Sequence, residues 1–164
     1  VTWHRQELSW EKLIPSILKE SGLLEPNLNA VQFVNENLGW IVGEFGLVLQ
    51  TRDGGETWSA QNYGGNLPQL FAVFFRDEQT GWAVGQLGTL MGTVDGGKHW
   101  ARVAVDTDAN LNGISMEGDR GVIVGDGAVL ASDDGGLNWR KLASAPEDRW
   151  LTGVAIKSRE AVVG

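Results

Sequence analysis

Cysteine is absent from the 164 residues, so neither a disulfide framework nor a thiolate metal site is available, and the redox compartment stays open. Histidine is reduced to His4 and His99, which lack metal-ligand spacing to each other. The acidic loops Asp106-Thr107-Asp108 and Asp133-Asp134 lack the alternating oxygen ligands of a dedicated calcium loop. No metal or other cofactor is therefore expected. A run of about 18 apolar residues, the length that crosses a bilayer as a helix, is also missing. Positive charge is the minority: 13 Lys and Arg stand against 21 Asp and Glu, a formal net charge of −8. That sign opposes binding to nucleic-acid backbones or anionic lipid. Helical periodicity is nearly lacking outside residues 7–28, and no secretory leader pattern follows Val1, so the start of the chain is not expected to be the start of the gene.

What is present is concentrated in two residue types. There are 23 Gly and 8 Trp, and both recur at fixed spacing. Gly39–Trp58 (GWIVGEFGLVLQTRDGGETW), Gly81–Trp100 (GWAVGQLGTLMGTVDGGKHW) and Gly121–Trp139 (GVIVGDGAVLASDDGGLNW) align with one another. Their aspartates Asp53, Asp95 and Asp134 are 42 and then 39 residues apart, a period of about forty. Within each unit four short runs rich in β-branched and aromatic residues are divided by Gly, Asn and Asp, which predicts a four-stranded antiparallel meander. One small meander cannot bury both its faces. Neighbouring copies must cover it, and radial stacking of such sheets is the β-propeller solution; a sandwich is the alternative.

The turn before each repeated Trp has the sharpest pattern. It runs Thr51-x-Asp53-x-Gly55-x-Thr57-Trp58, Thr93-x-Asp95-x-Gly97-x-His99-Trp100 and Ser132-x-Asp134-x-Gly136-x-Asn138-Trp139. An Asp in a tight loop accepts from nearby backbone N–H groups, a Gly supplies positive φ, and a hydroxyl bonds across the loop. The Trp is expected to fold against the next sheet. Burying an indole of about 150–250 Å² corresponds to a gross ~4–6 kcal/mol, an upper bound because the denatured chain is partly compact. These residues are expected to hold blades together, not to perform chemistry.

This turn is the Asp-box, or BNR repeat. Coupled to an upstream G-W-x-V-G-x-x-G at Gly39–Gly46 and Gly81–Gly88, it resembles the propeller family of photosystem II stability and assembly factors and their bacterial relatives. The resemblance covers roughly residues 29–164. It implies a non-enzymatic propeller on the extracytoplasmic side, in periplasm or thylakoid lumen, that binds a protein client such as a membrane-protein subunit during complex assembly. One departure stands out. The photosynthetic members are associated with an arginine-rich face, whereas Arg5, Arg52, Arg76, Arg102, Arg120, Arg140, Arg149 and Arg159 are scattered here among 21 acidic residues.

The expected organisation is all-β, a partial propeller of about four blades with a short helical insert near the N-terminus. Residues 1–6 are read as the tail of a preceding blade, 7–28 as the insert, 29–70, 71–110 and 111–150 as blades, and 151–164 as the start of another. Thr2-Trp3-His4-Arg5-Gln6 overlays Thr57–Gln61, and Ala161–Gly164 overlays Trp40–Gly43. The chain is thus expected to belong to a longer propeller; were it the whole protein, its open half-blade would invite self-association. In the insert Trp10, Leu13, Ile14, Ile17 and Leu18 follow helical spacing, broken by Pro15. Its apolar face either packs on the propeller or, through Trp10, Leu13 and Ile17, docks a partner.

No catalytic constellation emerges. A sialidase needs an arginine triad and a Tyr nucleophile, and the one tyrosine, Tyr63, lies in a Gly-rich connection without an identifiable partner. Glu44, Asp77, Asp106, Asp108, Asp126 and Asp148 are acids outside the boxes, but sequence brings no two of them together. Glu44, Gln86 and Asp126 occupy one repeated turn position. The DGG triplets precede a strand and lack a phosphate-loop lysine. The alternative to a scaffold is a sialidase-like glycoside hydrolase propeller whose catalytic residues lie outside these 164 residues.

Overall fold

The computed structural model describes residues 8–10, 26–61, 68–142, 149–157 and 160–163. Strands β1 (Leu28–Phe33), β2 (Gly39–Gly43), β3 (Val48–Thr51) and β4 (Ser59–Ala60) form one sheet. A second contains β5 (Leu70–Phe75), β6 (Gly81–Gly85), β7 (Leu90–Thr93) and β8 (Ala101–Arg102). The third contains β9 (Leu111–Glu117), β10 (Arg120–Gly125), β11 (Ala128–Ser132) and β12 (Arg140–Lys141), and β13 (Val154–Lys157) pairs with β14 (Glu160–Val163). Every pairing is antiparallel and joins strands adjacent in sequence. This is an arc of a β-propeller.

Successive side chains on a strand point to opposite faces, and in the middle sheet both faces are covered. Val73, Phe75 and Ala83 pack with Trp40, Val42 and Val48 of the first sheet. Trp82, Val84 and Leu90, from the other face, pack with Ile114, Met116, Ile123 and Trp139 of the third. Two-sided burial explains why β5 reads Leu-Phe-Ala-Val-Phe-Phe without polar alternation.

Among the described residues the first sheet has one such neighbour. Leu28, Val31 and Phe33 are 40%, 59% and 41% exposed, whereas their counterparts Leu70, Val73 and Phe75 are 2%, 9% and 2% exposed. Part of that free face, around Leu47 and Leu49, is covered by Leu8 and Trp10. The helical insert expected over 7–28 falls largely on residues 11–25, outside the described residues, as do Leu13 and Ile17. Residues 1–6 and Tyr63 lie outside them as well.

The second glycine of each G-W-x-V-G motif answers to a close approach. A Cβ on Gly43 would lie 2.3 Å from the carbonyl oxygen of Asn27 and one on Gly85 2.0 Å from that of Gln69, and one on Gly125, which ends the corresponding Gly-Val-Ile-Val-Gly, would lie 1.9 Å from that of Asn110. No side chain fits there, because the start of the first strand crosses directly over the end of the second. At the C-terminal hairpin the overlay of Ala161 on Trp40 is corrected by the register. Ile156 pairs with Ala161 as Phe75 pairs with Gly81, so Ala161 takes the glycine position.

Candidate functional site

Each Asp-box folds as a closed hydrogen-bonded turn. In the first, Thr51 Oγ1 donates to Asp53 Oδ1 at 2.7 Å and accepts from the Gly55 N–H at 2.8 Å. The Thr57 N–H donates to Asp53 Oδ1 at 2.8 Å, and Thr57 Oγ1 donates to Oδ2. In the second box Thr93, Gly97 and the His99 N–H repeat these bonds around Asp95, and His99 Nδ1 lies 2.6 Å from Asp95 Oδ2. In the third, Ser132, Gly136 and both the backbone and side-chain N–H of Asn138 surround Asp134. Donors converging on an ionised carboxylate favour its charged form. Asp53 is held at about 2, chiefly by the Thr57 hydroxyl and then its N–H. Asp95 is held at about 2 by the His99 N–H and ring, and Asp134 at about 2 by the Asn138 N–H and amide.

The boxes join neighbouring sheets through indoles. Trp40, in β2, stacks on Phe75 with ring centroids 3.5 Å apart and planes 5° apart, and its Nε1 donates to the Gly96 carbonyl of the second box at 3.1 Å. Gln50 Nε2 donates to the same oxygen at 2.8 Å. Trp82, in β6, likewise reaches the box one blade on, its Nε1 donating to Gly136 O, one residue beyond the counterpart of Gly96, at 3.3 Å. Gly97 and Gly136 have φ of +90° and +81°, and a Cβ on Gly136 would lie 2.6 Å from the Trp82 ring. The strand-two tryptophans therefore reach forward.

The box tryptophans turn the other way, which corrects the expected packing on the next sheet. Trp100 meets Phe75 edge to face at 5.8 Å and joins the cluster that contains Trp40 of the preceding sheet. Trp139 lies in the cluster with Trp82 of the preceding sheet and donates to its own Gly136 O at 3.0 Å. Trp58 packs edge to face on Phe33 at 6.1 Å. The reason is sidedness: each box Trp stands on the face that carries Phe33, Phe75 or Met116, and that face looks backward along the chain. Trp100 Nε1 is buried without a hydrogen-bond partner among the described residues.

The repeated turn position ties the end of each second strand to the start of the first. Glu44 accepts from the N–H and Nδ2 of Asn27 at 2.9 and 3.0 Å, which lowers its pKa, the backbone bond contributing most. Gln86 accepts from the Gln69 N–H at 3.3 Å. Asp126 accepts from Asn110 Nδ2 at 2.9 Å and from Asn112 Nδ2 at 2.7 Å. Asp77 caps its own turn through the Gln79 and Thr80 N–H groups. Each of these acids has a local partner, and none is placed against another. Among the described residues no group of three or more His, Asp or Glu could hold a metal.

A concave surface among the described residues gathers several blades, and no sequence motif marks it. Asn29, Phe71, Asn112 and Thr152, which hold the same place at the start of successive first strands, line an open cleft of about 470 Å³ with Asp126 and Trp150. Asn29 Nδ2 donates to Leu70 O at 2.6 Å, and Asn112 Nδ2 donates to Leu151 O at 3.0 Å, so both amides bridge to the next blade. Trp150 is 84% exposed and its backbone pairs with Asp126. The available signal was the repeat register, which aligns the four strand-start positions. Of the proposed partner contacts, Trp10 is half-buried against the first sheet, away from this cleft's lining.

The family described as Photosynthesis system II assembly factor YCF48 matches residues 66–149. A solved structure of YCF48 bound to D1 peptide superposes with a TM-score of 0.65 at 25% identity, covering 75% of this chain and 43% of that one. YCF48 from Cyanidioschyzon merolae gives 0.64 at 25% identity, covering 79% and 47%. The chain thus spans less than half the length of either. The computationally designed Ika4 protein gives 0.69 at 14% identity, covering 85% and 86%, and AFV00434, an ancestral GH74 enzyme, gives 0.62 at 18%, covering 77% and 20%. These last two share the fold alone. No curated protein matches the chain significantly.

Proposed function

The chain belongs to the photosynthesis system II assembly factor YCF48 family, and on that premise we propose that it is part of a non-enzymatic propeller scaffold that binds a polypeptide client during membrane-complex assembly. The observation that carries this reading is family membership across the second and third blades, together with a relative of the same fold bound to a D1 peptide. The chemistry is compatible. The box aspartates are engaged in turns, and Glu44, Asp77 and Asp126 each accept from local backbone or amide donors. A propeller whose acids brace its loops offers surfaces, and surfaces bind. An extracytoplasmic location and a membrane-protein subunit as client belong to the same proposal, as does a second contact through the insert carrying Trp10, Leu13 and Ile17.

Fluorescence anisotropy of a labelled D1 peptide titrated with the chain tests the reading. Saturable binding that a scrambled peptide does not compete supports it; no binding, or cleavage of glycoside substrates by the chain, overturns it.

A further inference from the structure

The cleft at the strand starts has a chemistry more specific than a general docking face. Its lining contains one charged residue, Asp126, and two aromatic ones, Phe71 and Trp150. Asp126 is held from behind by the side chains of Asn110 and Asn112, one on each oxygen. A carboxylate oxygen has capacity for a second donor, so the group is fixed in place and still open to a ligand. Asn29 and Asn112 have their Nδ2 groups committed to Leu70 O, Asp126 and Leu151 O. That commitment sets the amide orientation and leaves each Oδ1 as an acceptor with no donor among the described residues. The cleft therefore offers carboxylate and amide oxygens together with the exposed indole of Trp150 and the half-buried ring of Phe71.

We propose that this cleft receives a lysine or arginine side chain of the bound polypeptide. The inference rests on the client-binding reading above and names what the client must present. Acceptors without donors select a donor-rich group, and Asp126 selects a positive one. The indole of Trp150, 84% exposed, supplies a ring face that attracts a cation. The formal net charge of −8 adds a long-range field of the same preference. An acidic side chain or a phosphate would meet Asp126 and no cation in the lining.

The test uses the 15N-labelled chain and capped pentapeptides Gly-Gly-X-Gly-Gly in which X is Lys, Arg, norleucine or Glu. The Trp150 indole N–H cross-peak is assigned by its loss in Trp150→Phe. Lys and Arg peptides shift this peak and the Asn112 side-chain peaks; norleucine and Glu peptides do not. Asp126→Asn weakens the Lys peptide by about fivefold or more, as does raised salt. Equal shifts from norleucine and Lys, or none from Lys and Arg, overturn the inference. Trp150→Ala, which alters an exposed side chain, serves as the second variant should Asp126→Asn disturb the turn. Retained D1-peptide affinity in both variants overturns this inference and leaves client binding standing. Shifts from the Lys peptide without any D1-peptide binding overturn client binding and leave the cleft's preference standing.

Discussion

Replacing Trp40 by Ala tests the claim that inter-blade indoles carry the stability of the arc. Trp40 is 0% exposed, stacks flat on Phe75 and donates to Gly96 O. Truncation removes about 150–250 Å² of buried apolar surface, a gross ~4–6 kcal/mol at 25 cal/mol/Å². Trp→Ala changes in cores fall at about 3–5 kcal/mol once partial relaxation is allowed. The hydrogen bond adds little, because Gly96 O keeps its bond from Gln50 Nε2 at 2.8 Å and is not orphaned. The expected loss is therefore about 3–5 kcal/mol, a large fraction of the roughly 5–15 kcal/mol that holds a domain together. Urea unfolding followed by far-UV circular dichroism measures it as a lower midpoint at unchanged slope. Trp150→Ala is the control and is expected within about 0.5 kcal/mol of the parent, as for other exposed sites. A loss under about 1 kcal/mol at Trp40, or losses equal at the two positions, refutes the reasoning.

Three other outcomes are expected. Gly136→Ala combines a backbone at φ +81° with a Cβ 2.6 Å from the Trp82 ring, whereas Gly118→Ala, at φ +58°, meets nothing within 4 Å. The first is expected to cost about 3 kcal/mol or more and the second about 1, read from denaturant midpoints. Trp139→Phe gives up a bond to Gly136 O, which keeps its bond from Trp82 Nε1, whereas Trp100→Phe removes a buried N–H that has no partner among the described residues; relief of that unpaired donor is expected to leave Trp139→Phe about 1 kcal/mol the more destabilising of the two. Finally, Asp53, Asp95 and Asp134 titrate at about 2 when folded against an ordinary 3.8. A depressed carboxylate stabilises the fold above its unfolded value and loses that contribution as pH falls through its folded value. The thermal midpoint should drop between about pH 4 and 2, and Asp134→Asn should make that drop shallower; an unchanged acid profile in the variant would count against the box geometry.

Much of the fold was legible because the repeat is written in residues with one mechanical use each. The Thr51-x-Asp53-x-Gly55 pattern specifies its turn through bonds between residues two to four apart, and local geometry of that kind survives without knowledge of the rest of the chain. The G-W-x-V-G glycines were legible as a motif but not as a contact. Only the crossing of Gln69 over Gly85, where an added Cβ would lie 2.0 Å from the Gln69 carbonyl oxygen, shows why no side chain is allowed there. Trp10 was legible as apolar, yet its place against Leu47 and Leu49 depends on a face left uncovered by any described blade. Of the cleft residues only Asn29 and Asn112 are alike, while Phe71 and Thr152 hold the same place with different chemistry, so composition gave no reason to group the four.

The sequence by itself determined the period of about forty, the four short strands per unit and the closed boxes, because alternation along a strand and hydrogen bonds within a turn need only near neighbours. Tertiary structure alone decided direction. Alternation gives every strand two faces without saying which blade each face meets, so Trp40 and Trp82 reach forward while Trp100 and Trp139 look back. It also decided the cleft, whose residues are about forty positions apart in the chain and adjacent only because successive strand starts converge.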